Sequence, residues 1–249
     1  MQRANRCVLP VVYRITTQDL AMESDQSGDL ATRRGVVIAI DGPSASGKGE
    51  IARRLASRLG FTHLDTGKLY RIFAAKFAAK YGESIARKEK VCISSEDERK
   101  MLDLLTDNST ALGTEEISKA ASRIARIAVV RQALVGLQRQ LILTSETGII
   151  VDGRDIASVV YPNADVKIFI TAQVSVRALR RYKQLTGRGN SCRSMYKTVL
   201  LGMLRRDIND SSRRVAPLTR VKDAFYLNTS NMDIEKTLLL LMKKIKTFL

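Results

Sequence analysis

Five short apolar runs punctuate the chain, at residues 36–40, 62–64, 149–151, 166–170 and 224–227. Each has the length of a buried strand, and none is long enough for an ordinary helix. Between most of them, apolar residues return every three or four positions, the period of a helix with one buried face. The plainest case follows residue 47. Ile51, Ala52, Leu55 and Leu59 form one stripe, Arg53, Arg54 and Arg58 fall mostly outside it, and Gly60 supplies a stop. A second stripe of Ile234, Leu238, Leu241, Ile245 and Phe248 predicts a docking helix over residues 233–248. Strands alternating with helices predict an α/β fold, a five-stranded parallel sheet covered on both faces. A chain of 249 residues, 45% hydrophobic, has the material for one large domain of this kind.

Two segments fall outside that alternation. Residues 81–147 are helical in character with a polar middle near 94–113, which suits either an insert packed over the sheet edge or a mobile loop. Residues 1–6 are basic and 7–13 apolar, a faint echo of a secretion signal. The apolar stretch is short, is broken by Pro10, meets Arg14 and leads to no small-residue cleavage site. Residues 22–32 are polar, so 1–34 is expected to be an extension without a fold of its own, with Met22 a candidate start. No apolar run approaches the ~20 residues that span a bilayer.

Polar chemistry gathers where the strands end. After the first run comes Gly42-Pro43-Ser44-Ala45-Ser46-Gly47-Lys48-Gly49, the Gly-x-x-x-x-Gly-Lys pattern of a P-loop, placed between a strand and a helix. Backbone N–H groups of such a loop converge on anionic oxygens, and the helix start adds positive potential. After the second run come Asp65-Thr66-Gly67 and Tyr70-Arg71, and after the third Asp152-Gly153-Arg154-Asp155. After the fourth, Thr171 leads into an arginine-rich helix. Ligands of open parallel sheets bind beyond the carboxyl ends of the strands, so these groups belong to one site.

Charge and composition narrow the chemistry. Lys and Arg total 42 against 25 Asp and Glu, a formal net charge of +17 that favours anionic partners. The excess is densest over residues 177–220, which suits a nucleic-acid groove or a lid over a triphosphate. Aromatics for base stacking are sparse there, only Tyr182 and Tyr196. Arg206, Asp210 and Arg213 share one helical face, an arrangement better suited to a small polar ligand. Cys7, Cys92 and Cys192 are odd in number and widely spaced, which fits a reducing compartment such as the cytoplasm. His63 is the single histidine, so a Cys/His zinc site is excluded, and this residue reads as a tolerated side chain near a strand end.

Four ordered segments together resemble the bacterial cytidylate kinases. They are Ile38-Ala39-Ile40-Asp41-Gly42-Pro43-Ser44 with Gly47-Lys48-Gly49; Leu64-Asp65-Thr66-Gly67 with Tyr70-Arg71; Asp152-Gly153-Arg154-Asp155 with Val159-Val160-Tyr161-Pro162; and Arg206-Asp207 through Asp210 and Arg213 to Val215-Ala216-Pro217-Leu218. The resemblance covers residues 35–246. It implies a P-loop core with a nucleotide-binding insert, about 82–122, and an arginine-rich lid, about 174–194. It implies transfer of the γ-phosphoryl group of ATP, with Mg²⁺, to CMP or dCMP by a monomeric cytoplasmic enzyme that binds neither nucleic acid nor membrane. Residues 42–50 would then hold the ATP phosphates, with Lys48 on the β and γ groups. Thr66, Arg71, Arg154 and Arg213 match positions at the CMP phosphate. Ser122, Arg131 and Asp155 match positions that read cytosine, and Arg206 and Asp210 positions around the sugar. Arg177 and Arg181 match lid arginines near the transferring phosphoryl group.

The chain departs from that pattern twice. Glu50 stands where related kinases place a threonine, and its carboxylate is expected either to repel ATP phosphates or to coordinate Mg²⁺ directly. The insert before Thr114 is short and lacks the family's β-rich stretch. The residues alone leave two alternatives, another small-molecule P-loop kinase and a basic nucleic-acid-binding ATPase. A GTPase switch would need an Asn/Thr-Lys-x-Asp motif that the chain lacks.

Overall fold

A computed structural model describes residues 35–106, 112, 114–186, 193–213 and 216–248. The expectations for residues 1–34 and for the lid tip at 187–192 lie outside the described residues.

The five apolar runs become β1 (Val37–Asp41), β2 (Thr62–Asp65), β3 (Ile149–Gly153), β4 (Val166–Thr171) and β5 (Phe225–Asn228). All pair in parallel, in the order β2-β3-β1-β4-β5. Central strands of a covered parallel sheet are buried on both faces, so they read as unbroken apolar runs. β1 and β3 do so, with every residue buried. β1 lies mid-sheet, between β3 and β4, so the loop that follows it opens over the centre of the carboxyl edge.

Alternation along the strands divides the core into two layers. Ile38, Ile40, Ile150 and Ile168 meet Leu55 of α1 (Lys48–Leu59) and Leu238 and Leu241 of α9 (Ile234–Ile245). On the other face, Val37, Ala39 and Val151 meet Leu69 of α2 (Thr66–Ile72), Phe73, and Leu134 of α6 (Ala128–Leu143). The expected C-terminal stripe is shortened at both ends. Ile234 and Phe248 are exposed, because the helix begins at the cavity rim and ends before Phe248, whose ring lies under Lys244.

Between α2 and α6 the described elements are all helical. A π-helical turn (Phe73–Phe77) is followed by α3 (Gly82–Arg87), α4 (Ser95–Thr106) and α5 (Glu115–Ile124). Met101 of α4 is fully buried in the layer below, and Asp97 pins the helix by accepting from Lys80 Nζ and the Tyr81 hydroxyl, each at 2.5 Å. The Lys80 bond, with that of Tyr81, holds the Asp97 carboxyl down to about 2. The described part of this polar stretch, α4, is therefore a helix seated against α2. After β4, α7 (Val174–Thr186) and α8 (Arg193–Ser211) pack against each other.

Candidate active site

The loop after β1 is shaped by its glycines. Gly47 caps α1 with φ 91°, and a Cβ on Gly42 would lie 1.9 Å from the Ile170 carbonyl oxygen. Both positions therefore exclude a side chain. Lys48 folds back over this loop, its Nζ 3.5 Å from the Pro43 carbonyl. Burial, reinforced by the charge of Arg154, pushes Lys48 down to about 7, against the pull of Asp152 and Asp65. At the end of β1, Asp41 accepts the N–H groups of Ile156 and Ala157, both at 2.8 Å. This ties the P-loop strand to the turn after β3. Burial pushes the Asp41 carboxyl up to about 6.

Beyond the loop opens a cavity of about 1120 Å³. That exceeds the ~300–1,000 Å³ that one small ligand usually occupies. Residues 44–50 form one side, with Arg180 and the β5–α9 turn at Met232 and Ile234. The opposite side brings together side chains from four separate segments.

From the α2 segment, Thr66 donates its hydroxyl to the Asp152 carbonyl at 2.8 Å, and Arg71 pairs with Asp65 at 3.0 Å. Asp65 also caps α2 through the Lys68 N–H. From the turn after β3, Arg154 Nε donates to Asp210 Oδ2 at 3.2 Å, and Asp210 also pairs with Arg213. Arg206, one turn before Asp210, is half-buried, with its Nε buried and unpartnered. Burial and the neighbouring Arg154 push it down to about 10. Further along, Arg131 of α6 is paired with Asp155, both buried, with Ser122 of α5 on the same wall. Cations outnumber carboxylates across this surface, and burial disfavours the charge of Arg131 and Arg206. An anion entering the cavity relieves both conditions.

Three side chains stand differently from their sequence reading. Arg177 does not border the cavity. It lies one helical turn nearer the sheet than Arg181, and Asp207 captures it at 2.6 Å. Arg181 does border the cavity, and so does Arg180, which donates to Ser46 O at 3.2 Å and Thr229 O at 2.7 Å. Glu50 is turned along its own helix, accepting from Arg53 at 2.8 Å and Arg54 at 2.6 Å. The Arg53 bond first, then that of Arg54, holds its carboxyl below the usual range. Its carboxylate is paired within α1, at the rim of the cavity.

The third is His63, whose Nε2 lies 2.7 Å from Asp152 Oδ2 at the cavity wall. Burial alone would raise Asp152, but His63, Lys48 and Arg154 together hold it below the ordinary carboxylate value. His63 is therefore part of the site. The signal was the strand register: Asp65 stands beside Asp152, which puts His63 on the same face two residues away.

A P-loop at the centre of a parallel sheet, sharing one cavity with a second set of cations, defines a P-loop kinase. The sequence model described as cytidylate kinase matches residues 38–247. A cytidylate kinase of Xanthobacter autotrophicus is 45% identical over 199 residues, covering 80% of this chain and 91% of that protein. One from Azorhizobium caulinodans is 44% identical over 202 residues, covering 81% and 94%. Among solved structures, an uncharacterized protein from Eubacterium ventriosum aligns with a TM-score of 0.50 at 13% identity, covering 85% and 98%, a likeness of fold alone. The chain belongs to the cytidylate kinase family.

Proposed function

We propose that this protein transfers the γ-phosphoryl group of ATP to CMP or dCMP, giving ADP and CDP or dCDP, with ATP in the P-loop half of the cavity and the monophosphate opposite. The observation that carries this reading is the gathering of buried Lys48 with half-buried Arg154 and Arg206 in one cavity, where burial pulls Lys48 and Arg206 below their ordinary values. Phosphoryl transfer asks little covalent chemistry of a protein. It needs two anions in line and their charge neutralised.

Lys48 and the loop N–H groups would hold the donor's β and γ phosphates. Arg71, Arg154 and Arg213 would hold the acceptor phosphate, with Arg154 between the two halves through its fields on both Lys48 and Arg206. The acceptor phosphate is already an anion near neutral pH, so no strong base is required. Asp155, Ser122 and Arg131 would read the cytosine edge, whereas uracil would leave Asp155 facing an acceptor. The described residues of one chain supply both halves, which supports a monomer.

Mg²⁺ fits this donor set. Among the described residues no group of three His, Cys, Asp or Glu side chains could cage a metal. Mg²⁺ needs none, since it keeps several waters and binds through one or two carboxylates plus substrate phosphates. Asp152, on the wall beside Gly49, would hold it. When bound, the ion neutralises phosphate oxygens.

The cations face into one cavity, which favours a small anion over a nucleic-acid strand. Among the described residues no helix is long and apolar enough to cross a membrane. A cytoplasmic setting is supported by Cys92, exposed and free. Coupled ADP release tests the reading. CMP and dCMP should stimulate it strongly, and UMP and AMP should not. Stimulation by DNA or RNA but not by CMP would overturn it.

A further inference from the structure

Arg177 is buried, with a side chain only 6% exposed, and its guanidinium is fully engaged away from the cavity. Nε donates to the Ala172 carbonyl at 2.8 Å. Nη1 donates to the Ser44 carbonyl at 3.1 Å and to Asp207 Oδ1 at 3.0 Å, and Nη2 to Asp207 Oδ2 at 2.6 Å. Three elements meet at this side chain: the end of β4, the P-loop, and α8. Helix α8 also carries Arg206 and Asp210, on the acceptor side.

The Ser44 bond matters because of what lies across that peptide. In a planar trans peptide the C=O and the next N–H point in opposite directions. Holding the Ser44 oxygen outward therefore aims the Ala45 N–H the other way, toward the phosphate cradle. Among the described residues, Ala45 is also one of the few non-glycine residues with positive φ, at 55°. Such a conformation is strained and persists only where the surroundings hold it. Asp207 in turn holds Arg177 through a two-point bond that fixes the plane of the guanidinium.

We propose that Arg177 is a positioning residue, a brace that sets the curvature of the P-loop from outside the cavity and ties the donor cradle to the helix bearing the acceptor-side Arg206 and Asp210. The brace rests on the assignment of ATP to the P-loop half. It replaces the phosphoryl contact that the resemblance implies for this residue.

The two roles separate in binding and kinetics. The test measures ATP and CMP affinity by titration calorimetry, together with kcat and the thermal midpoint, for wild type, Arg177→Gln and Asp207→Asn. The brace predicts a rise in the ATP Kd of about tenfold for Arg177→Gln and about threefold or more for Asp207→Asn, with the CMP Kd within about twofold and kcat at saturating ATP within about threefold. Asp207→Asn preserves volume and keeps the test alive if Arg177→Gln fails to fold. A direct phosphoryl contact predicts the reverse split, kcat down by about 100-fold with ATP affinity intact, and that result overturns the proposal. A lowered thermal midpoint with unchanged ATP affinity in Asp207→Asn would show a merely structural tie and also overturns it. Wild-type protein that binds CMP but not ATP would overturn the donor assignment and the brace with it. Wild-type ATP binding that survives Asp207→Asn unchanged overturns the brace alone.

Discussion

The two halves of the cavity are built from different materials. The half proposed for the donor is backbone, one stretch over residues 42–49 whose shape depends on Gly42 and Gly47 and whose Ser44 carbonyl is held outward by Arg177. The half proposed for the acceptor is side chains, brought from α2, the turn after β3, α5–α6 and α8, and held by Asp65, Asp155 and Asp210. A backbone cradle tolerates exchange of most of its side chains. A side-chain cradle is only as good as each pair within it. Lys48 is the exception on the donor side, because it supplies charge that no amide can.

Lys48→Met is accordingly the largest expected effect. It should lower kcat by ~10³-fold while CMP affinity, read by calorimetry, changes little. Equal loss of CMP affinity would erase the distinction between the halves.

Asp155→Asn comes next and probes the other side. It leaves Arg131 buried without its carboxylate, a change that costs ~3–5 kcal/mol and should lower the thermal midpoint. The same variant should cut the preference for CMP over UMP by about tenfold in kcat/KM. A stable variant that still rejects UMP would mean that the cytosine edge is read elsewhere.

The third effect is a proton count. Lys48 is held down to about 7, so between there and its ordinary value of 10.5 the folded protein binds fewer protons than the unfolded chain. Stability of the ligand-free protein therefore rises with pH across that window. An arriving phosphate restores the lysine charge, so ATP binding at pH 8 should take up ~1 proton, measured by calorimetry in buffers of different ionisation enthalpy. Zero uptake would place the phosphates away from Lys48.

The smallest effect is expected at Glu50. Its carboxylate is already paired with Arg53 and Arg54, so Glu50→Thr should change kcat/KM for MgATP by less than about threefold. A larger gain would show that the glutamate does act on the phosphates.

These residues also show what a sequence discloses. Strands, P-loop and first helix were legible because each is local, a run or a spacing within ten residues. The Glu50 pairs were equally local, at i+3 and i+4 on α1, and a helical wheel exposes them. His63 beside Asp152 needed the β2–β3 register, which no single strand carries. Arg177 and Arg181 share a helical face, and only the position of Asp207 on α8 divides their roles. The polar stretch before α5 read as ambiguous because Asp97, in a helix of low apolar content, is buried by partners on neighbouring turns.

The central claim is that one cavity holds two anionic nucleotides facing each other across Arg154. A bisubstrate compound, adenosine and cytidine joined by a phosphate chain, tests it most directly by equilibrium titration. The account predicts binding ~10²-fold or more tighter than ATP or CMP alone, with competition by both. Binding no tighter than ATP, or competition by only one of the two nucleotides, would contradict it.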